Sequence, residues 1–436
     1  TYRGPTQHLQ FLNLKALNFF QILLVAASKG TPRPDSLKLV RLTNTSITCN
    51  DGTPAGYYIR TGSNSAHWVL YLEGGGYCWD GPSCNARWRR RPSLMSSSKW
   101  PRYRRAPALL SSNAAINPLW HSSNHVLLPY CSSDMWTGTR IQRQAGFTFT
   151  GRLIVHAVLA ELIHKGLNGR LLLVGSSAGG AGVMLHADAA RRTLREHKVR
   201  VAAVSDSGWF LDRPGHTTRA LSADNVARLG HSLWKGSPPS SCVRDHRTEP
   251  WRCYFGYKLY PYIRTPLFVF QYLFDSAQLA AEGVRSPRTR EEWNAVHSTG
   301  AALRATLARV RNTFAPACLA HGVLSRPDWL AVNVSGITLP RALACWERRL
   351  GSRRNQSRSV GRCAPRRLVE RCTWPQCNGS CPRLRDPRTG EEVALAALLQ
   401  SFGLDVSAAA AAMGLDARAL SRMSRAELLP LLAPHV

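Results

Sequence analysis

Acidic residues are scarce in this 436-residue chain. Only 26 Asp and Glu stand against 57 Lys and Arg, a formal charge of +31, and residues 81 to 133 contain no acid at all. Long apolar runs are scarcer still. Outside residues 16–27 nothing approaches the ~20 apolar residues that span a bilayer, which excludes a bundle of membrane helices. No internal repeat is present, and no C-x-x-C pair is matched by a second one at zinc-finger distance. The twelve cysteines therefore read as disulfides of an oxidising compartment rather than as metal ligands. Cys78–Cys84 and Cys242–Cys253 are the pairs that short spacing suggests.

What is present agrees with export. Arg3 and Lys15 precede the apolar stretch 16–27 and the small residues Ala26-Ala27-Ser28, the layout of a signal peptide over residues 1–35. Acceptor sequons occur at Asn44, Asn333, Asn355 and Asn378. The positive charge is clustered. Arg87, Arg89, Arg90, Arg91, Lys99, Arg102, Arg104 and Arg105 crowd the acid-free stretch, and nine arginines lie between Arg348 and Arg371 with Glu370 as the one acid beyond Glu347. For an exported protein nucleic acid is a poor match. A sulfated polysaccharide suits clustered arginines, here Arg89, Arg90, Arg91, Arg353, Arg354, Arg366 and Arg367.

At 44% hydrophobic residues the chain has ample core material, and its short apolar runs alternate with helical patterns. This predicts an α/β domain over 36–436 with a largely parallel sheet and flanking helices. Strands are expected at 67–72, 125–130, 170–174, 199–205, 266–273 and 314–319, helices at 151–165, 180–197, 301–311 and 391–413. Residues 340–390, rich in Arg, Cys and Pro, read as a disulfide-stapled C-terminal extension.

Residues 170–182, RLLLVGSSAGGAG, run from a hydrophobic strand through Gly175-Ser176-Ser177-Ala178-Gly179 into a helix. That is G-x-S-x-G in the strand–turn–helix setting of a nucleophile elbow, as in α/β-hydrolases. Ser177 holds the apex; Ser176 is its rival. Upstream, the strand ending at Leu72 dissolves into Gly74, Gly75 and Gly76, a backbone that a substrate carbonyl can approach closely. With the N–H of Ala178 it forms a candidate oxyanion hole. The chain order Ser…Asp…His then points to Asp275, in QYLFDSAQ, over the alternative Asp206, in VSDSGWF. Of the downstream histidines, His297 falls in a helix and His435 at the terminus. His321, in PACLAHGV beside Cys318, is left as the base. The set calls for no metal and no cofactor.

These residues carry a family likeness. NTSITCNDGTPAGYY, WVLYLEGGGYCW, PYCSSDMWTG, GSSAGGAGV, SDSGWFLD, CYFGYK, QYLFDSAQL and FAPACLAHG resemble the pectin acetylesterase family over roughly residues 40 to 415. Within it they resemble the secreted carboxylesterases that remove palmitoleate from a serine of Wnt proteins. The resemblance implies a triad of Ser177, Asp275 and His321 and oxyanion amides at Gly75, Gly76 and Ala178. It also implies a lipid pocket touching Tyr77, Phe210, Tyr254 and Phe255, and binding to heparan sulfate or glypican. Two departures mark a divergent member. Gly76 replaces a tryptophan of the pattern, and a cysteine pair after SDSGWFLD is missing. A sugar-chain O-acetylesterase is the rival activity. A non-catalytic heparan-sulfate binder on a hydrolase scaffold is the rival of another class.

Overall fold

Residues 67–72 are apolar on both sides of the pleat, and the computed structural model explains why. Leu70 and Leu72 pack into one buried cluster, Val69 and Tyr71 into another. A strand with hydrophobic cores on both faces belongs in the middle of a sheet covered by helices. The structure describes residues 35–215, 221–285, 287, 289–351, 363–385, 391–394, 397–398, 400, 406–412, 414–424 and 427–428. The signal-peptide layout falls outside them but for Asp35, as do Arg353, Arg354, Asn355 and His435.

Twelve strands position the site. In chain order they are β1 (Ser36–Arg41), β2 (Gly56–Arg60), β3 (Asn64–Leu72), β4 (Tyr103–Arg105), β5 (Ser123–Leu128), β6 (Arg170–Ser176) and β7 (Arg200–Asp206). Then follow β8 (Leu267–Phe270), β9 (Phe274–Asp275), β10 (Thr313–Ala315), β11 (Leu319–Ala320) and β12 (Arg367–Val369). Ten form one sheet in the order β12-β10-β8-β7-β6-β3-β5-β2-β1-β4. Pairing is parallel from β12 to β5 and antiparallel from β5 to β4. The architecture is α/β-hydrolase-like.

Around the sheet lie α1 (Gly81–Arg90), α2 (Gly151–His164), α3 (Ala178–Arg195), α4 (Ser276–Ala281), α5 (Arg290–Leu307) and α6 (Leu339–Gly351). The helix expected at 301–311 begins eleven residues earlier, at Arg290, where Thr289 and Glu292 form a capping box. Between 391 and 413 the described helical residues include the short Val406–Ala412. The antiparallel strands β1, β2 and β4 have no counterpart in the sequence reading. The Arg/Cys-rich extension is more than an appendage, since β12 hydrogen-bonds to β10 as the edge of the main sheet.

Five disulfides close: Cys49–Cys131, Cys78–Cys84, Cys242–Cys253, Cys318–Cys381 and Cys372–Cys377. They place the chain in an oxidising compartment. Cys345 and Cys363 stand outside these pairs, and Cys345 Sγ accepts from Ala364 N at 3.2 Å. Among the described residues no helix is long and apolar enough to cross a membrane.

Candidate active site

The elbow is built by close backbone packing. β6 ends at Ser176, and α3 starts at Ala178. Between them Ser177 adopts φ 60° and ψ −125°, a conformation that costs a non-glycine residue about 1–3 kcal/mol and clusters at functional sites. The neighbouring glycines have no room for side chains. A Cβ on Gly175 would lie 2.4 Å from Gly179 O, and one on Gly179 would lie 2.0 Å from Leu72 O. One on Gly180 would lie 2.6 Å from Asp206 O. Each glycine costs a helix about 1 kcal/mol relative to alanine. Here it lets the first turn of α3 seat on the ends of β3 and β7.

The glycine loop after β3 meets the same elbow. A Cβ on Gly74 would strike Ser176 O at 2.4 Å and Ser177 Cβ at 2.7 Å. Gly76 has φ +70°, a left-handed conformation open to glycine. Among the described residues no acceptor takes the N–H of Gly75, Gly76 or Ala178. The glycine loop and the elbow thus carry three amides without an acceptor, and Ala178 adds the positive end of an 18-residue helix.

Asp275 and His321 meet through a short strand pair. β9 and β11 run parallel with Asp275 opposite Ala320, which delivers His321 one residue on. His321 Nδ1 lies 2.8 Å from Asp275 Oδ2 and 3.0 Å from Oδ1. Asp275 is fully buried. Its Oδ1 also accepts from Ala277 N and Gln278 N at 2.9 Å, and its Oδ2 accepts from Gln271 Nε2 at 3.0 Å. Burial pulls the His321 pKa down, but the charge and hydrogen bond of Asp275, helped by the charge of Asp206, leave it above the ordinary histidine value. Its Nε2 is buried and without a partner. The Cys318–Cys381 disulfide anchors this loop three residues upstream.

Ser176 and Asp206, the rivals in the sequence, have other work. Ser176 Oγ donates to Asp206 Oδ2 and pairs with Tyr71 OH at 2.7 Å. The same Asp206 oxygen accepts from Val323 N at 2.9 Å and Leu324 N at 3.0 Å, and Ser207 Oγ accepts from Gly322 N at 3.0 Å. Asp206 thus holds the backbone of the loop carrying His321, with no contact to the ring. Sequence reasoning also missed Gln271 and Gln278, which tie the loop after β7 to Asp275 through Trp209 N and Leu211 N. A glutamine flanked by apolar residues gives no local sign of such a duty.

One aromatic side chain meets the candidate base, and others cluster on Trp234. Phe210 tilts against His321 at 6.3 Å between centroids. Tyr77 sits edge-on to Trp234 at 5.7 Å, and Trp234 in turn packs against Tyr254 at 6.0 Å. The Tyr254 hydroxyl is held by His231 Nδ1 at 2.7 Å, and Phe255 is buried beside it. Trp234 had no signal in the sequence.

The basic stretch divides. Arg89, Arg90 and Arg91 are exposed. Arg104 is engaged by Glu73 as a bidentate pair, 3.0 Å from Nη1 to Oε2 and 2.5 Å from Nη2 to Oε1. Arg87 turns inward to Gly75 O. Of the sequons, Asn44 is exposed. Asn378 is buried, and its Nδ2 donates at 2.6 Å to Asn333 O and at 2.5 Å to Glu370 Oε2.

A largely parallel sheet of this order, with a strained serine at the strand–helix elbow, defines the α/β-hydrolase class, and the chain is a carboxylic ester hydrolase. Residues 31–382 match the sequence model described as Pectinacetylesterase, and the chain belongs to that family. It is similar to the palmitoleoyl-protein carboxylesterase NOTUM of Mus musculus, 42% identical over 88% of this chain and 79% of the relative. The protein of the same description from Drosophila melanogaster is 35% identical, over 94% of this chain and 88% of the relative. A solved structure of the Wnt deacylase Notum from Drosophila superposes with a TM-score of 0.74 at 49% identity, covering 80% of this chain and 99% of that one.

Proposed function

We propose that the chain removes a fatty acyl group, palmitoleoyl, from a serine of Wnt proteins and thereby lowers Wnt signalling. The observation that carries the reading is the buried Asp275–His321 pair, with a free Nε2, in a fold whose elbow serine meets a glycine loop at Gly74. Ser177 Oγ attacks the acyl carbon as His321 Nε2 takes its proton. The carbonyl oxygen becomes an oxyanion received by the N–H groups of Gly75, Gly76 and Ala178. His321 returns the proton to the departing serine oxygen, and the ester bond breaks. Water then attacks the acyl-enzyme, gives a proton to His321 and releases the fatty acid, and Ser177 is reprotonated. Tyr77, Phe210, Tyr254 and Phe255 line the acyl side.

Secretion is supported by the five disulfides. Heparan sulfate, free or carried by glypican, is the anionic partner. Arg366 and Arg367 are exposed. Slight desolvation and the like charges of Arg311 and Arg349 pull the Arg366 pKa down, so an anion there relieves repulsion. The family description favours a second reading, O-deacetylation of a polysaccharide.

Turnover of p-nitrophenyl esters from acetate to hexadecenoate, beside acetylated pectin and a palmitoleoylated Wnt peptide, separates the two. Rates rising with chain length and loss of the acyl mass from the peptide are expected, both abolished in Ser177→Ala. Release of acetate from pectin with an untouched Wnt peptide would install the second reading instead.

A further inference from the structure

We propose that Arg87 is the positioning residue of the oxyanion hole, holding the Gly75–Gly76 peptide with its N–H toward the ester. This rests on reading Ser177 and its neighbouring amides as the reacting centre.

The carbonyl of Gly75 and the N–H of Gly76 are opposite ends of one planar peptide unit. Arg87 Nη1 donates to Gly75 O at 2.7 Å, and among the described residues no other donor reaches that oxygen. Fixing the carbonyl therefore fixes the N–H. The peptide needs fixing, because a rotation of this unit carries no side chain past any obstacle when both residues are glycine. Gly76 is also exposed, and the space where its Cβ would stand meets nothing within 4 Å except Arg87 Nη1, at 3.7 Å. Packing reaches the peptide on the Gly75 side alone, where an added Cβ would lie 3.1 Å from Leu94 Cδ1 and 3.4 Å from Tyr130 Cδ1. On the open Gly76 side the hydrogen bond from Arg87 holds it.

Arg87 is itself rigidly held. It projects from α1, whose N-terminus is capped by Asp80 and whose Cys84 is bonded to Cys78, two residues after Gly76. Its Nε donates to Ser133 Oγ at 2.7 Å, and its guanidinium lies 5.9 Å from the centre of the Tyr130 ring. Loop and arginine thus belong to one stapled segment.

The charge matters as well as the geometry. Among the described residues no carboxylate lies within ion-pair distance of Arg87, and its Nη2 is buried without a partner. Burying a cation unpaired is costly. The tetrahedral intermediate supplies the missing negative charge. A charge-assisted bond to Gly75 O polarises the peptide and makes the Gly76 N–H a stronger donor. Arg87 serves the oxyanion more than the uncharged ester, so its loss should appear in kcat and not in KM.

The test compares Arg87→Gln with wild type and Ser177→Ala on a short p-nitrophenyl ester, with Tm recorded for each. Loss of one oxyanion donor costs on the order of 10²–10³ in kcat, and loss of its support should cost on the order of 10–100-fold. KM should stay within about twofold, and a boronic acid that forms a tetrahedral adduct with the serine should weaken by the same factor as kcat. A folded Arg87→Gln with wild-type kcat overturns the proposal, as does a raised KM at constant kcat. If Arg87→Gln does not fold, Arg87→Lys decides, because it keeps the charge but cannot span Gly75 O and Ser133 Oγ together. Reduced kcat at unchanged KM sustains the proposal, and wild-type kcat ends it. Activity surviving in Ser177→Ala would instead overturn the site on which the proposal rests.

Discussion

Asp206 and Asp275 are alike by every local measure. Both are fully buried, both end a strand, and both act on the segment that carries His321. They differ in what they grip. Asp275 accepts from the imidazole Nδ1, so it fixes the tautomer that leaves Nε2 to exchange protons. Asp206 accepts from Val323 N and Leu324 N, so it sets where the loop runs. One aspartate fixes the tautomer of the histidine; the other sets its address and adds a lesser push to its pKa. Burial alone does not distinguish a catalytic carboxylate from a structural one; the identity of the donor does.

Asp275→Asn is the sharpest way to break this comparison. The amide leaves the shape intact but favours the wrong tautomer of His321, and kcat should fall by roughly 10⁴-fold if the precedent of serine proteases holds. A companion readout is the pH profile. His321 must be neutral at Nε2 to accept a proton, and its pKa lies above the ordinary histidine value. Wild-type kcat/KM should therefore fall on the acid side with an apparent pKa above about 6.5. The sign for stability is the reverse. The raised pKa adds stability that is complete below the unfolded value and is lost as pH rises through the folded one. An acid limb left unmoved in the residual activity of Asp275→Asn would show that another group sets it.

Asp206→Asn should act mainly on folding. The amide oxygen can still receive the two loop N–H groups, but a charged acceptor becomes neutral, at a cost of about 1–3 kcal/mol. The midpoint of urea unfolding should drop while kcat, measured on the folded fraction, changes far less than in Asp275→Asn. Should the two variants exchange these behaviours, the roles assigned to the aspartates are wrong.

How much of this was legible beforehand follows from distance along the chain. The elbow could be read because strand, turn and helix are contiguous from Arg170 to Arg195. The parallel strands on either side could be read because burial on both faces makes them uniformly apolar. Asp275 and His321 could be ordered but not joined, since β9 and β11 are two residues each and carry no pattern. β1, β2 and β4 were missed for a related reason: at the partly exposed end of the sheet, strands such as SLKLVR and YRR mix charge with apolar residues. Asp206 binds a loop more than a hundred residues away. Arg87 reads as one more cation of the acid-free stretch because nothing in RWRRR tells the inward arginine from its neighbours.

That last contrast yields the smallest expected effect. Arg89, Arg90 and Arg91 follow Arg87 within one turn of α1, yet they are exposed where it is tucked against the glycine loop. If these arginines meet a sulfated polysaccharide, each contact releases counterions, and binding should weaken with salt by a slope of about 0.7–0.9 per contact, by analogy with nucleic acids. Arg89→Gln, Arg90→Gln and Arg91→Gln together should elute from heparin at lower salt than wild type. Glutamine is preferred to glutamate, because an acid at the C-terminal end of a helix opposes the helix dipole and blurs the result with lost stability. Turnover of a short neutral ester should not change, since none of the three side chains is hydrogen-bonded to the glycine loop. Elution at the wild-type salt concentration would reduce the +31 charge to composition alone. A fall in ester turnover would mean that the exposed arginines share the duty assigned to Arg87.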